Sequence, residues 1–145
     1  MFRLTRRYRF AASHRLDAPR LSEEENRRIY GKCNHPYGHG HNYEVEVSAR
    51  GPLDERTGCA ANVRDLDGLV ERQVLAEFAD RNLNVEVAAF GGAVVPTSES
   101  LGLEICRRLK DHWHETFPGA WPKLEKIRIA ETARNIFEIG ADEIK

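Results

Sequence analysis

The sequence predicts an α+β domain in which an antiparallel sheet carries helices on one face. Apolar and polar residues alternate in two stretches near the N-terminus and again near the C-terminus, while the middle repeats apolar residues at three- and four-residue steps. The resulting order is strand, strand, helix, helix, strand, strand. With no internal repeat and no low-complexity linker, one domain over residues 1–145 is expected.

In the first strand Phe2, Leu4, Tyr8, Phe10, Ala12 and His14 share one side, with Arg6 the exception among them. His14 therefore falls on the inward face. The segment from Leu16 to Lys32 breaks this alternation, and Ser22 with Glu25 three residues later is a capping-box pair that predicts a short helix ending near Gly31. A second strand starts at His41, where Tyr43, Val45, Val47 and Ala49 alternate with Asn42, Glu44, Glu46, Ser48 and Arg50. Residues Gly51 to Gly58 have turn chemistry, and the following CAANV reads as an edge-strand remnant.

Leu66, Leu69, Val70, Val74 and Phe78, behind Asp65 as N-cap, predict a first long helix. Asn82 to Pro96 reads as a loop. A second helix starts in PTSES, with Thr97 or Ser98 as cap, Glu99 in its first turn and a buried stripe of Leu101, Ile105, Leu109 and Trp113. FPGAWP stops it. The last two strands hold Ile127, Ile129 and Glu131 on one face, turn near Arg134 and Asn135, and continue through Phe137 and Ile139.

At 145 residues, with 41% hydrophobic and 31% charged residues, the chain can build one core. A net charge of -1 supplies no basic footprint for nucleic acid, so a small-molecule partner is expected. No apolar run approaches the roughly 20 residues that span a bilayer, and MFRLTRRYRF lacks the apolar core of a signal peptide. Cys33, Cys59 and Cys106 are odd in number and widely spaced, which argues against a disulfide framework. A cytoplasmic protein with reduced thiols is expected.

The stretch CNHPYGHGHNYEVEV concentrates potential metal ligands. Residues two apart on a strand point to the same side, so His39 and His41 can converge if extended backbone begins at the HGH step. His14, on the inner face of the preceding strand, can join them, and three neutral imidazoles form a tripod suited to zinc with an open fourth position. The same H-x-H pair would also serve as hydrogen-bonding turn residues. His112 and His114 lie near a helix C-terminus, where a structural or solvated role suffices. Cys33 could be a fourth zinc ligand, a thiolate base beside the metal, or a small buried hydrophobe. Glu131 shares a face with two buried aliphatics, which is costly for an unpaired carboxylate. It either lies beyond the sheet edge or accepts hydrogen bonds from a guanidine-like ligand edge.

From about Tyr8 to Gly140 the chain resembles the 6-pyruvoyltetrahydropterin synthase / 6-carboxytetrahydropterin synthase family. The resemblance rests on FAASH ending at His14, LSEEENRRIYGKC ending at Cys33, GHGHNYEVEV, NVRDL, RNLN, PTSES and IRIAET. The five residues between Cys33 and His39 are similar to the pyruvoyl-forming branch. The resemblance implies the T-fold, a four-stranded antiparallel sheet backed by two helices and assembled as an oligomeric barrel, a trimer or hexamer. It implies conversion of 7,8-dihydroneopterin triphosphate to 6-pyruvoyltetrahydropterin with loss of triphosphate. By matching position, His14, His39 and His41 would hold Zn2+, Cys33 would be the general base, and Glu131 would anchor the pterin. Thr97, Ser98 and Glu99 would bind the ring from a neighbouring subunit. Where the family carries an Asp-His pair before N-L-N, this chain has Ala79 and Asp80, or Asp80 and Arg81 one residue along. An altered proton relay is therefore expected, with Asp80 or His35 as the substitute. Side-chain cleavage to a carboxypterin and pterin binding without catalysis are the alternative outcomes on the same scaffold.

Overall fold

The computed structural model describes all residues, 1–145. Strand β1, Phe2–His14, pairs antiparallel with β2, His39–Gly51, along their whole lengths. β2 in turn pairs antiparallel with β4, Lys123–Ala130, which pairs antiparallel with β5, Ile136–Gly140. The four expected strands are present, and a fifth joins them. It is β3, the two residues Arg81–Asn82, which run parallel to β1 at Ala12 and Ser13 and give the order β3-β1-β2-β4-β5. Arg81 precedes the predicted loop and Asn82 opens it, and two residues carry no periodicity, so no sequence pattern announces this strand.

The alternation maps onto burial as expected: Phe10, Ala12 and His14 are buried in β1, and Tyr43, Val45, Val47 and Ala49 in β2. Arg6 breaks the pattern in sequence because it is paired, its guanidinium meeting both carboxylate oxygens of Asp67 at 2.8 and 3.1 Å. Tyr8 donates to the same carboxylate at 2.7 Å. Ser48 keeps its expected side, opposite Thr5, but is buried there. The β2–β4 register shifts between Ser48 and Ala49, Ser48 is buried, and its hydroxyl meets that of Thr5 at 2.8 Å.

Helix α1, Glu23–Tyr30, begins at the predicted capping box, and Gly31 follows it at a φ of 54°. Helix α2, Val63–Val70, corrects the sequence reading: its N-cap is Asn62, whose side chain accepts from the backbone N–H of Asp65 at 3.1 Å. Asp65 is thus a first-turn residue, donating rather than capping. The helical path widens to a π-turn over Glu71–Leu75 before ending at Phe78. CAANV is not a strand; only an isolated bridge between Asp54 and Cys59 forms there. The predicted loop after Asn82 contains two short helical turns, Leu83–Glu86 and Ala88–Phe90, anchored by buried Leu83, Val87 and Phe90. Helix α3, Ser98–Thr116, is capped by Thr97. Its buried Leu101, Ile105, Leu109 and Trp113 join Leu66, Leu69 and Val70 of α2 against the inward residues of β1, β2 and β4 in one core.

Candidate functional site

The metal-ligand candidates converge where β1 ends and β2 begins. His14 pairs with His39 across the ladder, and Ala12 with His41, so all three imidazoles leave the sheet on one side. Their ring centroids lie 4.5 to 5.4 Å apart. Cys33, in a short turn after α1, joins them, and one donor atom from each of His14, Cys33, His39 and His41 falls within 4.8 Å of the others. The backbone N–H of Leu16 donates to the carbonyl of Cys33 at 2.8 Å, fastening this turn to the chain leaving β1.

Gly38 sets the approach. Its φ of 70° is left-handed, and a Cβ there would sit 2.6 Å from the carbonyl oxygen of His14. Only glycine permits both the turn and the close passage.

The donor set fits a zinc ion. His14 is buried, and its Nδ1 lies 2.9 Å from the carbonyl of Pro96. A carbonyl only accepts, so Nδ1 carries the proton and Nε2 presents its lone pair to the site. That Nε2 has no hydrogen-bond partner, an exception among buried nitrogens that a metal would satisfy. The Nε2 atoms of His39 and His41 are 3.1 Å apart, close to the about 3.3 Å separating two ligands of a tetrahedral ion with bonds near 2.0 Å. Burial lowers the pKa of both His14 and His41, against the Pro96 hydrogen bond and then Glu131 at His14 and against Glu131 at His41, and so favours the neutral imidazoles that bind metal.

Cys33 Sγ lies 3.2 Å from His39 Nε2, and burial, with the charge of Glu131, pushes its thiol pKa up. Cys59 is exposed, while Cys106 is buried in the core with its pKa pushed up to about 11. Glu131 does not project beyond the sheet edge. It follows β4 directly, and its Oε1 stands 3.1 Å from Nε2 of His41 and 3.5 Å from Nε2 of His14. Its only partners in ion-pair range are these two histidines, and no Arg or Lys neutralises it.

Asp80 adopts a left-handed φ of 59°, held by its N–H donating to the carbonyl of Ala11 at 2.6 Å. It lines a cavity of about 510 Å³ whose wall includes Gly40 and His41. Ala79 is partly buried against the core. His35 is exposed in the turn, accepting from the N–H of Tyr37 at 3.3 Å. The hydroxyl of Thr97 is engaged at the helix cap by the N–H of Ser100. Ser98 is buried with an unpartnered hydroxyl, and with exposed Glu99 it borders a separate cavity of about 160 Å³ beside Ile127, Ile129 and Phe137. His112 and His114 are remote from the cluster in sequence and role: His112 pairs with Glu115, and His114 is solvated in the last turn of α3.

Two contributors escaped sequence reading. Tyr43 is buried with its hydroxyl 3.2 Å from His14 Nδ1, where its oxygen can share the proton that Pro96 accepts. Its place two residues after His41, on the same side, was the available signal. Pro96 acts through a backbone carbonyl, which no side-chain motif can reveal.

Comparison with known proteins matches this arrangement to one family. A family model for 6-pyruvoyl tetrahydropterin synthase covers residues 3–142. The chain is 44% identical over 133 residues to 6-pyruvoyl tetrahydrobiopterin synthase of Poecilia reticulata, covering 92% of this chain and 86% of that one. It is 38% identical to the Homo sapiens protein of the same name, covering 92% and 87%. The solved structure of Caenorhabditis elegans 6-pyruvoyl tetrahydropterin synthase superposes with a TM-score of 0.86 at 34% identity, over 96% of this chain and 94% of that one. The five-stranded sheet with helices on one face is therefore the T-fold, and the chain belongs to the 6-pyruvoyl tetrahydropterin synthase family.

Proposed function

We propose that the protein is a zinc-dependent lyase that converts 7,8-dihydroneopterin triphosphate to 6-pyruvoyltetrahydropterin with elimination of triphosphate. The observation that carries this reading is the convergence of His14, His39 and His41 with a thiol and an uncompensated carboxylate at one end of the β1–β2 ladder. Relatives at 38–44% identity bearing the synthase name support it.

Zinc, when bound, supplies Lewis-acid polarisation of the substrate's side-chain hydroxyls, which acidifies the neighbouring C–H. Cys33 removes that proton in this scheme. A thiol whose pKa is raised by burial and by Glu131 is mostly protonated when the site is empty and strongly basic once ionised. His14, with its tautomer fixed through Pro96, and His41, kept neutral by burial, hold the ion. Glu131 anchors the pterin, its unmatched charge accepting the paired N–H groups of the guanidine-like edge. Thr97, Ser98 and Glu99 contact the ring of a substrate held by a neighbouring copy. Asp80, bordering the cavity that includes His41, returns protons in place of an Asp-His pair.

Assembly as a homo-oligomer, a trimer or hexamer, fits this scheme. β1 is covered by β3 only at Ala12 and Ser13, which leaves most of its outer edge open, and β5 forms the opposite edge.

The test is anaerobic incubation of zinc-loaded protein with 7,8-dihydroneopterin triphosphate and identification of products by mass spectrometry. A pyruvoyl product is expected. A shortened side chain would instead assign carboxypterin chemistry, and bound but unchanged substrate would make the protein a pterin carrier.

A further inference from the structure

We infer that the open cavity beside His39 is a polyphosphate seat, with Arg27 and Lys32 as its principal cations. This deepens the function proposed above and rests on it for the identity of the substrate. The cavity has a volume of about 810 Å³, and its wall passes from Arg27 of α1 through Lys32 to Gly38 and His39. No hydrophobic residue lines it. Its charged and polar side chains suit an ion, and its apolar area comes from the stems of those side chains and from Pro36.

The charges facing it are unevenly matched. Arg15, Arg27 and Lys32 oppose Asp17 and Glu23. Asp17 is already engaged, lying 3.5 Å from the Arg15 guanidinium and accepting from the Asn34 side chain at 3.0 Å. Arg27 and Lys32 take part in no ion pair, although both approach the same cavity. Two long unpaired cations at one concave surface are what an extended anion with several charged oxygens requires.

The wall is preorganised. Asn34 is buried and donates to the carbonyl of Leu16 at 2.7 Å, while Arg15 Nε donates to the carbonyl of Asn34 at 3.3 Å. The turn that carries Lys32 is thereby tied to the segment leaving β1. His39 belongs at once to this wall and to the metal-ligand cluster. A substrate whose reacting carbons meet the imidazoles can thus lay a charged tail along Lys32 and Arg27 without leaving the protein surface.

The experiment titrates the zinc-loaded, full-length protein with inorganic tripolyphosphate by calorimetry and repeats it with the double variant R27A/K32A. Zinc content is measured before and after each titration. Binding to the unaltered protein is expected, and the double variant should lose at least about tenfold in affinity, the size of one charge-assisted hydrogen bond. Zinc content and the affinity for unphosphorylated 7,8-dihydroneopterin should be the same in both proteins. Equal tripolyphosphate affinity in the two, or loss of zinc to the titrant as the only signal, would overturn the seat. Tripolyphosphate binding that depends on Arg27 and Lys32, in a protein that ignores dihydroneopterin, would uphold the seat and reject the pterin substrate instead.

Discussion

His14 and His39 are direct partners in the β1–β2 ladder, the last residue of one strand facing the first residue of the next. Everything at the site depends on that register. A slip of one residue would send His14 to the opposite face of the sheet, and a slip of two would move it by about 6.6 Å, beyond the reach of a shared ion.

Replacing His39 by Ala removes an imidazole whose Nε2 is 3.1 Å from that of His41. Zinc affinity should fall by more than about 100-fold, beyond what altering an outer-shell partner costs. Metal analysis after dialysis against a weak chelator would measure it. Undiminished zinc content would refute the three-histidine assignment.

Cys33→Ala should leave zinc bound and lower turnover by roughly 10²–10⁴-fold, the range of a lost general base. Asp80→Ala should retain zinc as well, with a smaller loss confined to kcat. Steady-state kinetics paired with metal analysis separates the two. Full turnover by the Cys33 variant would remove the thiol from the mechanism.

Gly38→Ala combines a left-handed φ with a contact of 2.6 Å to backbone, whereas Gly58→Ala has a φ of 71° but open space around it. The second should lose about 1–2 kcal/mol in urea denaturation, the left-handed penalty alone. The first should lose more than that and bind zinc poorly, because the backbone of His14 must move. Equal losses would mean that the turn does not position the site.

The metal-free protein should lose stability as pH falls below about 6.5. His14 and His41 have folded-state pKa values lowered from 6.5 chiefly by burial, so below that value the unfolded chain binds more protons. The dependence should flatten once pH passes beneath the lowered values, and it should weaken in His41→Gln. Urea melts between pH 5 and pH 8 test the sign; stability that rises on acidification across this window would contradict it.

Glu131→Gln keeps the shape of the side chain and removes the charge. Pterin affinity should fall by roughly tenfold or more, as for a lost charged hydrogen bond, with zinc retained. Fluorescence titration with 7,8-dihydroneopterin reads the loss. An unchanged affinity would place the anchor elsewhere.

Much of this architecture was legible in the chain because it rests on local periodicity. Alternation placed His14 inward, the H-x-H step placed His39 and His41 together, and Ser22 with Glu25 marked the start of α1. The cap of α2 was misplaced by three residues, since Asn62 and Asp65 are both acceptable cap types and only the backbone path shows which accepts and which donates. The parallel pairing of Arg81–Asn82 could not be read, because two residues have no period.

The sequence by itself determined which residues could bind a metal and on which side of their strands they stand, since side-chain direction follows from strand geometry. Tertiary structure decided the rest. It brought Cys33 and Glu131 to the imidazoles, supplied the Pro96 carbonyl that fixes the His14 tautomer, and left Arg27 and Lys32 unpaired around a cavity. Those relations join residues far apart in the chain through backbone groups and packing, and such distances are set only when the whole core closes.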